Sequence, residues 1–380
     1  MKLRENPPVH LTYCLNIHPG ESWAENFAAV RDKALAVKRR VAPDEPFGLG
    51  LRLSNVSART LADPKTLADF RAFLDANGLY VFTLNGFPYG MFHRTAVKSD
   101  VYRPDWRTPE RRDYTNLLAD VLAELLPEDV TGSISTVPGS YRSWVHTDDD
   151  RRVIAEMLSA SAAHLAEIHA RTGKYIALAL EPEPDCLIEN TDETLSFFAG
   201  FDNETFRRHV GVCVDLCHLA VVFEDPAESL RRLTDAGVRV SKVQLSSALR
   251  CRATHDAVVQ LRTFCDPVYL HQVKVRTTGG KLLSYADLSD AIDARLASHD
   301  AGEEWRVHFH VPLYFDDYGE LKSTSALFTP ELAHMLTGGV TEHLEIETYT
   351  FDVLPASLRE PDVVDSIARE FEWVRAFLRP

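Results

Sequence analysis

The sequence predicts an α/β fold, a single closed (β/α)8 barrel with a long excursion between its seventh and eighth strands. Three observations lead there. Short apolar, β-prone runs alternate with longer amphipathic stretches along the whole chain, the pattern of parallel βαβ units. Eight such runs are present, the number that closes a barrel. The turn after the first run, between Cys14 and Glu21, holds only Gly20, so it lacks the glycine-rich phosphate loop that opens a doubly wound sheet.

The predicted strands are residues 9–17, 47–53, 80–84, 132–137, 175–180, 211–214, 242–245 and 343–348. Helical periodicity covers 21–40, 64–77, 109–126, 148–171, 191–198, 226–236, 285–296 and 361–378. Asp63 before Pro64 and Thr108 before Pro109 are N-cap and first-turn signals, and Gly78, Gly173 and Gly237 suit left-handed C-caps. Two further strand-like runs, 268–276 and 306–314, overfill an eight-stranded barrel. They are assigned to an excursion spanning 249–320, at the rim where barrel loops shape or cover a pocket. No repeat, low-complexity tract or Gly/Ser linker divides the chain, so 1–380 reads as one domain.

Composition narrows the function classes. With 45% hydrophobic and 26% charged residues among 380, the chain is an ordinary globular protein. Lys plus Arg number 41 against 56 Asp plus Glu, a net charge of −15 that repels polyanions and anionic membranes. Neither nucleic acid nor membrane is an expected partner. The six cysteines lie far apart, the N-terminus lacks the apolar core of a signal peptide, and apolar runs such as 176–180 are far shorter than a membrane span of about 20 residues. A cytoplasmic protein with reduced thiols is expected, its oligomeric state left open.

Functional groups of such a barrel sit at the C-terminal ends of its strands. There the sequence is polar. The fifth strand ends Glu181-Pro182-Glu183, the sixth Asp215-Leu216-Cys217-His218, the seventh contains Gln244, and the last reads Glu345-Ile346-Glu347, with His308-Phe309-His310 in the preceding excursion. Carboxylates on a barrel's inner face cost several kcal/mol unless paired or bound to metal, so their convergence calls for a cation. A site lined mostly by oxygen suits Mn²⁺, Mg²⁺ or Co²⁺, and a share of imidazole admits Zn²⁺ or Fe²⁺.

The segments LEPEPDCLIEN, VDLCHLAVVFED and HLEIETYT resemble the fifth, sixth and eighth strand ends of the xylose isomerase-like TIM barrel superfamily, which holds sugar isomerases, ketose 3-epimerases and apurinic endonucleases. HLTYCLNIHPGESW, with LEPEPDC and LEIETYTFDVLP, is similar more closely to the metabolite-traffic protein EboE family over nearly the whole chain. That resemblance implies a metal-dependent barrel encoded beside genes for moving or making a secondary metabolite. Carried over by motif, the superfamily's metal ligands fall on Glu181, Asp215, Gln244 and Glu347. Gln244 departs from the pattern, which has histidine there; an amide oxygen favours Mn²⁺ or Mg²⁺ over zinc. His218 matches a histidine that contacts substrate in epimerase-like members, and His308 and His310 fall where endonuclease-like members place a further metal pair.

The chemistry so implied is proton transfer next to a carbonyl, with Glu181 and Glu347 as the acid–base pair and His218 beside them. Several plainer readings stand alongside. Either glutamate could form a structural ion pair; a register shift of two would substitute Glu345 for Glu347, because side chains alternate with period two. Glu183, His18, Arg142 and His271 are candidates for substrate or second-metal contact, with a structural histidine the plainer reading of His271. Cys213 and Cys217 read as buried apolar thiols. Aromatics in the run Asn85 to Gly90 suit either sugar stacking or loop packing, and Arg250 and Arg252 either a phosphate or solvent.

The leading expectation is a metal-dependent isomerase or epimerase of a sugar, cyclitol or sugar phosphate. Two alternatives are an endonuclease-like metal phosphodiesterase and a non-catalytic metabolite carrier.

Overall fold

Each apolar run forms a parallel strand: Pro8–Tyr13, Phe47–Arg52, Leu79–Asn85, Gly132–Thr136, Ile176–Leu180, Val210–Asp215, Val240–Leu245 and His343–Ile346. They pair in chain order, and the eighth pairs with both the seventh and the first. A bridge between Cys14 and Gly50 brings the first and second strands together, so the cylinder is nearly closed. Lys2–Glu5 adds an antiparallel ninth strand against the first. The computed structural model describes residues 1–379 apart from 91–97, 266–269, 299–301, 352–353, 355–359 and 361. No described helix is long and apolar enough to cross a membrane.

The long helices lie where periodicity and caps place them. Asp63 caps Pro64–Asn77, which Gly78 ends at φ 59°, and Thr147 caps Asp148–Thr172, which Gly173 ends at φ 75°. The first expected helix runs from Trp23 to Val41 but contains a π turn at Val30–Ala34. Five short helices, Asn55–Leu61, Glu204–His209, Leu216–Val221, His255–Leu261 and Pro330–Thr337, were not expected. One or two turns show no period; each instead has a capping Ser, Asn, Asp or Thr side chain, from Ser54 to Thr329.

Three boundaries need correction. The first strand stops at Tyr13, because Leu15–Ile17 turns as a 3-10 helix. The eighth stops at Ile346, so Glu347 and Thr348 lie just past its end. The region between seventh and eighth strands is no loose loop: Ser247–Arg252, Val273–Arg276, Leu282–Tyr285, Glu304–Val311, Asp317–Tyr318 and Leu321–Ser323 form one six-stranded antiparallel sheet. The helix expected at 285–296 is Leu288–Ser298, and part of the run 268–276 lies outside the described residues. Along Glu304–Val311 the odd residues Trp305, Val307, Phe309 and Val311 are buried in the apolar core, with Phe309 packed edge-on to Phe264. The even residues His308 and His310 face the barrel mouth, meeting the ring of His218.

Helix Val363–Phe377 ties this sheet to the barrel through Glu370, whose carboxylate accepts from Leu313 N at 3.1 Å and Thr348 Oγ1 at 2.7 Å. Burial pushes this carboxyl up to about 8, against the pull of those two hydrogen bonds. A carboxyl raised on folding stabilises the fold below its unfolded value near 4.5 and loses that contribution as pH rises through about 8. Metal-free protein is therefore expected to lose stability from pH 5 to pH 9, on the order of a few kcal/mol of it through this group, and Glu370→Gln to lose less. Urea unfolding of both at the two pH values checks this; parallel pH profiles would refute it.

Candidate active site

Three carboxylates from three strand ends meet at the mouth. Glu181 follows the fifth strand, with its N–H on Thr136 O at 3.0 Å, and Glu347 follows the eighth, with its N–H on Leu245 O at 3.1 Å. Asp215 ends the sixth strand and caps helix Leu216–Val221. One oxygen from each of Glu181, Asp215 and Glu347 lies within 4.8 Å of the others. All three are buried. Burial, then mutual repulsion, raises Glu181 and Glu347 well above the usual carboxylate range.

The cluster is held by donors. Asn16 Nδ2 at 2.8 Å and Asn85 Nδ2 at 3.1 Å both donate to Glu347 Oε1, and Asp215 Oδ1 accepts from His218 N at 2.9 Å and Ser246 Oγ at 2.8 Å. Asp215 Oδ2 is buried with no hydrogen-bond partner among the described residues.

Three imidazoles converge beside the carboxylates. In each, Nδ1 faces an oxygen that can only accept: Pro182 O for His218, Gln272 Oε1 for His308 and Glu347 O for His310, all at 2.8 Å. In the neutral ring Nδ1 therefore carries the proton and Nε2 presents a lone pair. The Nε2 atoms of His308 and His310 stand 3.3 Å apart, an arrangement of two acceptors that a cation or donor between them would relieve. Burial lowers His218 to about 4 and His308 well below its usual value, so both are neutral at pH 7. Asp215, His218 and His310 form a second group with ligand atoms within 4.8 Å, and Cys217, His308 and His310 a third. Burial keeps the Cys217 thiol protonated, in keeping with an apolar cysteine.

Of these groups, Glu181, Glu347, Asn16, Asn85 and the three imidazoles line a recess of about 80 Å³, together with Glu183, Phe87, Tyr102 and Tyr349. That is room for about six water-sized groups. Tyr102 Oη donates to Glu183 at 2.7 Å and accepts from Gln272 Nε2 at 3.0 Å, so one chain of hydrogen bonds links Glu183 to His308. Burial lifts Glu183 to about 8 although Tyr102 opposes it. Lys98 at the rim pairs with Asp287 at 2.5 Å.

Other residues singled out in the sequence lie elsewhere. Glu345 also points into the barrel, but one layer deeper, where its Oε2 meets Lys242 Nζ at 2.5 Å. It is therefore no alternative to Glu347 at the recess. Burial draws the Lys242 ammonium down, but Glu345 and the neighbouring thiols outweigh it and hold it above the ordinary range. A Cβ on Gly50 would stand 1.6 Å from Glu345 Oε1, so only glycine leaves the pair its space. Gln244 stands in register between Asp215 and Glu345, fully buried, with both amide atoms unpartnered. His18 bonds Tyr13 Oη at 2.9 Å, His271 stacks on Phe309, and Arg142 pairs with Glu193 at 2.6 Å; none of the three lines the recess.

Asn16, Ser246, Tyr102 and Gln272 were missed. Asn16 and Tyr102 come from 3-10 turns and Ser246 and Gln272 from residues that precede strands of the inserted sheet, and only Lys242, a lysine inside an apolar strand, carried a signal. The donor set fits a divalent cation: clustered acidic oxygens, an orphaned Asp215 oxygen, an unpartnered Gln244 amide and inward-aimed imidazole lone pairs.

Lys242→Met is expected to destabilise the metal-free protein by about 3–5 kcal/mol, since it leaves Glu345 buried without a counter-charge. Lys242→Met with Glu345→Leu should recover most of that loss. Urea unfolding of the single and double variants reads the difference, and a single variant as stable as the parent would contradict the pairing.

Comparison with known proteins places this geometry. The xylose isomerase-like TIM barrel family model matches residues 50–258, more than half of the chain. No curated protein sequence matches. A xylose isomerase-like TIM barrel protein from Mycobacterium smegmatis, in complex with magnesium, superposes with a TM-score of 0.50 at 15% identity, over 98% of this chain and 96% of that one. D-psicose 3-epimerase with D-tagatose from Clostridium cellulolyticum H10 gives 0.50 at 12% identity over 100% of both chains. An L-ribulose 3-epimerase gives 0.51 at 12%, over 97% and 94%. At these identities the likeness to the solved structures is one of fold. The family match covers the strands that carry Glu181, Asp215 and Gln244, and the chain belongs to the xylose isomerase-like TIM barrel family.

Proposed function

We propose that the protein is a divalent-metal-dependent isomerase or epimerase of a sugar, cyclitol or sugar phosphate, moving a proton on a carbon next to a carbonyl. The observation that carries this reading is that carboxylate oxygens of the buried Glu181, Asp215 and Glu347 lie within 4.8 Å of one another, beside a recess that Glu181 and Glu347 line. Glu181, Asp215, Glu347 and the Gln244 amide oxygen would hold the ion, with Mn²⁺ or Mg²⁺ best suited to such oxygens and Zn²⁺, Co²⁺ or Fe²⁺ also compatible. When bound, it would polarise adjacent carbonyl and hydroxyl oxygens of the substrate and acidify the intervening C–H.

The chain's own residues supply the rest. Glu181 and Glu347, from the fifth and eighth strands, are the groups that remove and return the proton. Asn16 and Asn85 fix one oxygen of Glu347, leaving the other for proton transfer. His218, with its proton on Nδ1, offers Nε2 as acceptor to a substrate hydroxyl. Glu183 holds a proton at neutral pH and can donate to a substrate oxygen. Phe87, Tyr102 and Tyr349 give the recess an aromatic wall for the C–H face of a sugar. The resemblance to the metabolite-traffic family supports a role in making or moving a secondary metabolite in the cytoplasm.

Metal-reconstituted protein incubated with a panel of ketoses, cyclitols and sugar phosphates in D₂O should exchange a carbon-bound proton, followed by NMR. Glu181→Gln and Glu347→Gln should each slow that exchange by about 10²–10⁴-fold. Exchange with none of the panel would contradict the proposal.

The converging imidazoles favour one second reading, a multi-metal phosphoester hydrolase using His218, His308 and His310 for further ions. Elemental analysis separates the two. One bound ion per chain fits the isomerase; three fit the hydrolase.

A further inference from the structure

The inserted sheet carries an unusual row of charge. Lys274, Arg306, Arg250 and Lys322 stand directly opposite one another on four neighbouring strands. Two residues along, on the same face, come Arg276, Glu304 and Arg252. Like charges directly opposite on a sheet repel, and this face gathers six cations in a chain of net charge −15.

The inner half of the row is compensated. Lys274 is buried and pairs with Asp185 at 2.8 Å and with Glu189. Arg276 and Arg306 share Glu304, at 2.7 and 3.0 Å, and both guanidinium groups lie over the Phe223 ring. The outer half is different. Arg250 Nε donates to Ser323 O and Arg252 Nη1 to Gly302 O, each at 3.0 Å, and among the described residues neither they nor Lys322 form an ion pair. Asp317 stands opposite Lys322 in the register at the sheet edge. Arg250, Arg252 and Lys322 line a cleft of about 450 Å³. Glu304 and Glu320 also line it; Glu304 is already held by two arginines, which leaves Glu320 as one carboxylate beside three cations.

We propose that this cleft is a binding site for a phosphate-class anion, separate from the catalytic recess and held by Arg250, Arg252 and Lys322. The two cavities share no lining residue. Two guanidinium forks with donors to spare match phosphate oxygens bidentately, and an ammonium beside them adds a point charge. A dianion there supplies the counter-charge that the outer row lacks. The ligand sits at the far end of the strand that carries His308 and His310, with Arg306 between.

The test is calorimetric titration of metal-free protein with inorganic phosphate, a sugar phosphate, a nucleoside diphosphate and a single-stranded oligonucleotide. Saturable binding of at least one of the three small phosphates is expected. It should weaken at least about tenfold in R250Q/K322Q and in the single exposed variant R252Q. It should be unchanged in R152Q/R231Q, which removes the same charge from distant helices. Equal binding of free phosphate and its esters identifies the ion itself as ligand; binding of an ester alone identifies a metabolite's phosphate. The proposal is overturned if no small phosphate binds saturably, if R252Q and R250Q/K322Q bind as the parent does, or if only the oligonucleotide binds.

Discussion

Four carboxylates, Glu181, Asp215, Glu345 and Glu347, are buried in the throat and mouth of one barrel, and among the described residues the cation buried with them is Lys242. The rest of the site depends on that imbalance. Lys242 is committed to Glu345, so among the described residues the three carboxylates above it face one another without a cationic partner of their own. In a low-dielectric recess they cannot all ionise unless a further positive charge joins them. Two devices prepare for it: amide, hydroxyl and N–H donors already fix one oxygen of Glu347 and one of Asp215, and a second Asp215 oxygen is kept free of protein partners.

The inserted sheet completes the same design from above. One face of strand Glu304–Val311 is apolar and buries Trp305, Val307, Phe309 and Val311, which anchors the sheet. The other delivers His308 and His310 to the recess, where carbonyl oxygens fix their tautomers. The insertion thereby brings two imidazoles to the lining of the recess. Glu370 locks this arrangement by bonding both the segment after that strand and the segment after the eighth barrel strand.

Much of this was legible in the sequence where local rules dominate. Period-two and period-3.6 patterns, Pro at first turns and glycine C-caps located the eight barrel strands and the long helices. Asp215 and His218 stood out because they break an apolar strand. Other parts were hidden for physical reasons. Glu345 and Glu347 share a face, so no local signal separates them; the difference comes from Lys242 and Gly50 on other strands. Short helices such as Asn55–Leu61 show no periodicity. Antiparallel pairing of 247–252 with 304–311 joins segments some 50 residues apart, and nothing local announces it. Asn16 and Tyr102 reach the recess from 3-10 turns, and Gln272 holds His308 from just before a strand of the inserted sheet, positions that only the tertiary fold defines.

The account stands on a cation belonging among Glu181, Asp215 and Glu347. A crystal structure of the protein grown with Mn²⁺, read by anomalous scattering, tests that directly. A strong anomalous peak is expected among those three carboxylates, within coordination distance of an oxygen of each. Full-occupancy density for the three side chains with no anomalous peak between them, or a peak bound elsewhere in its place, would contradict it.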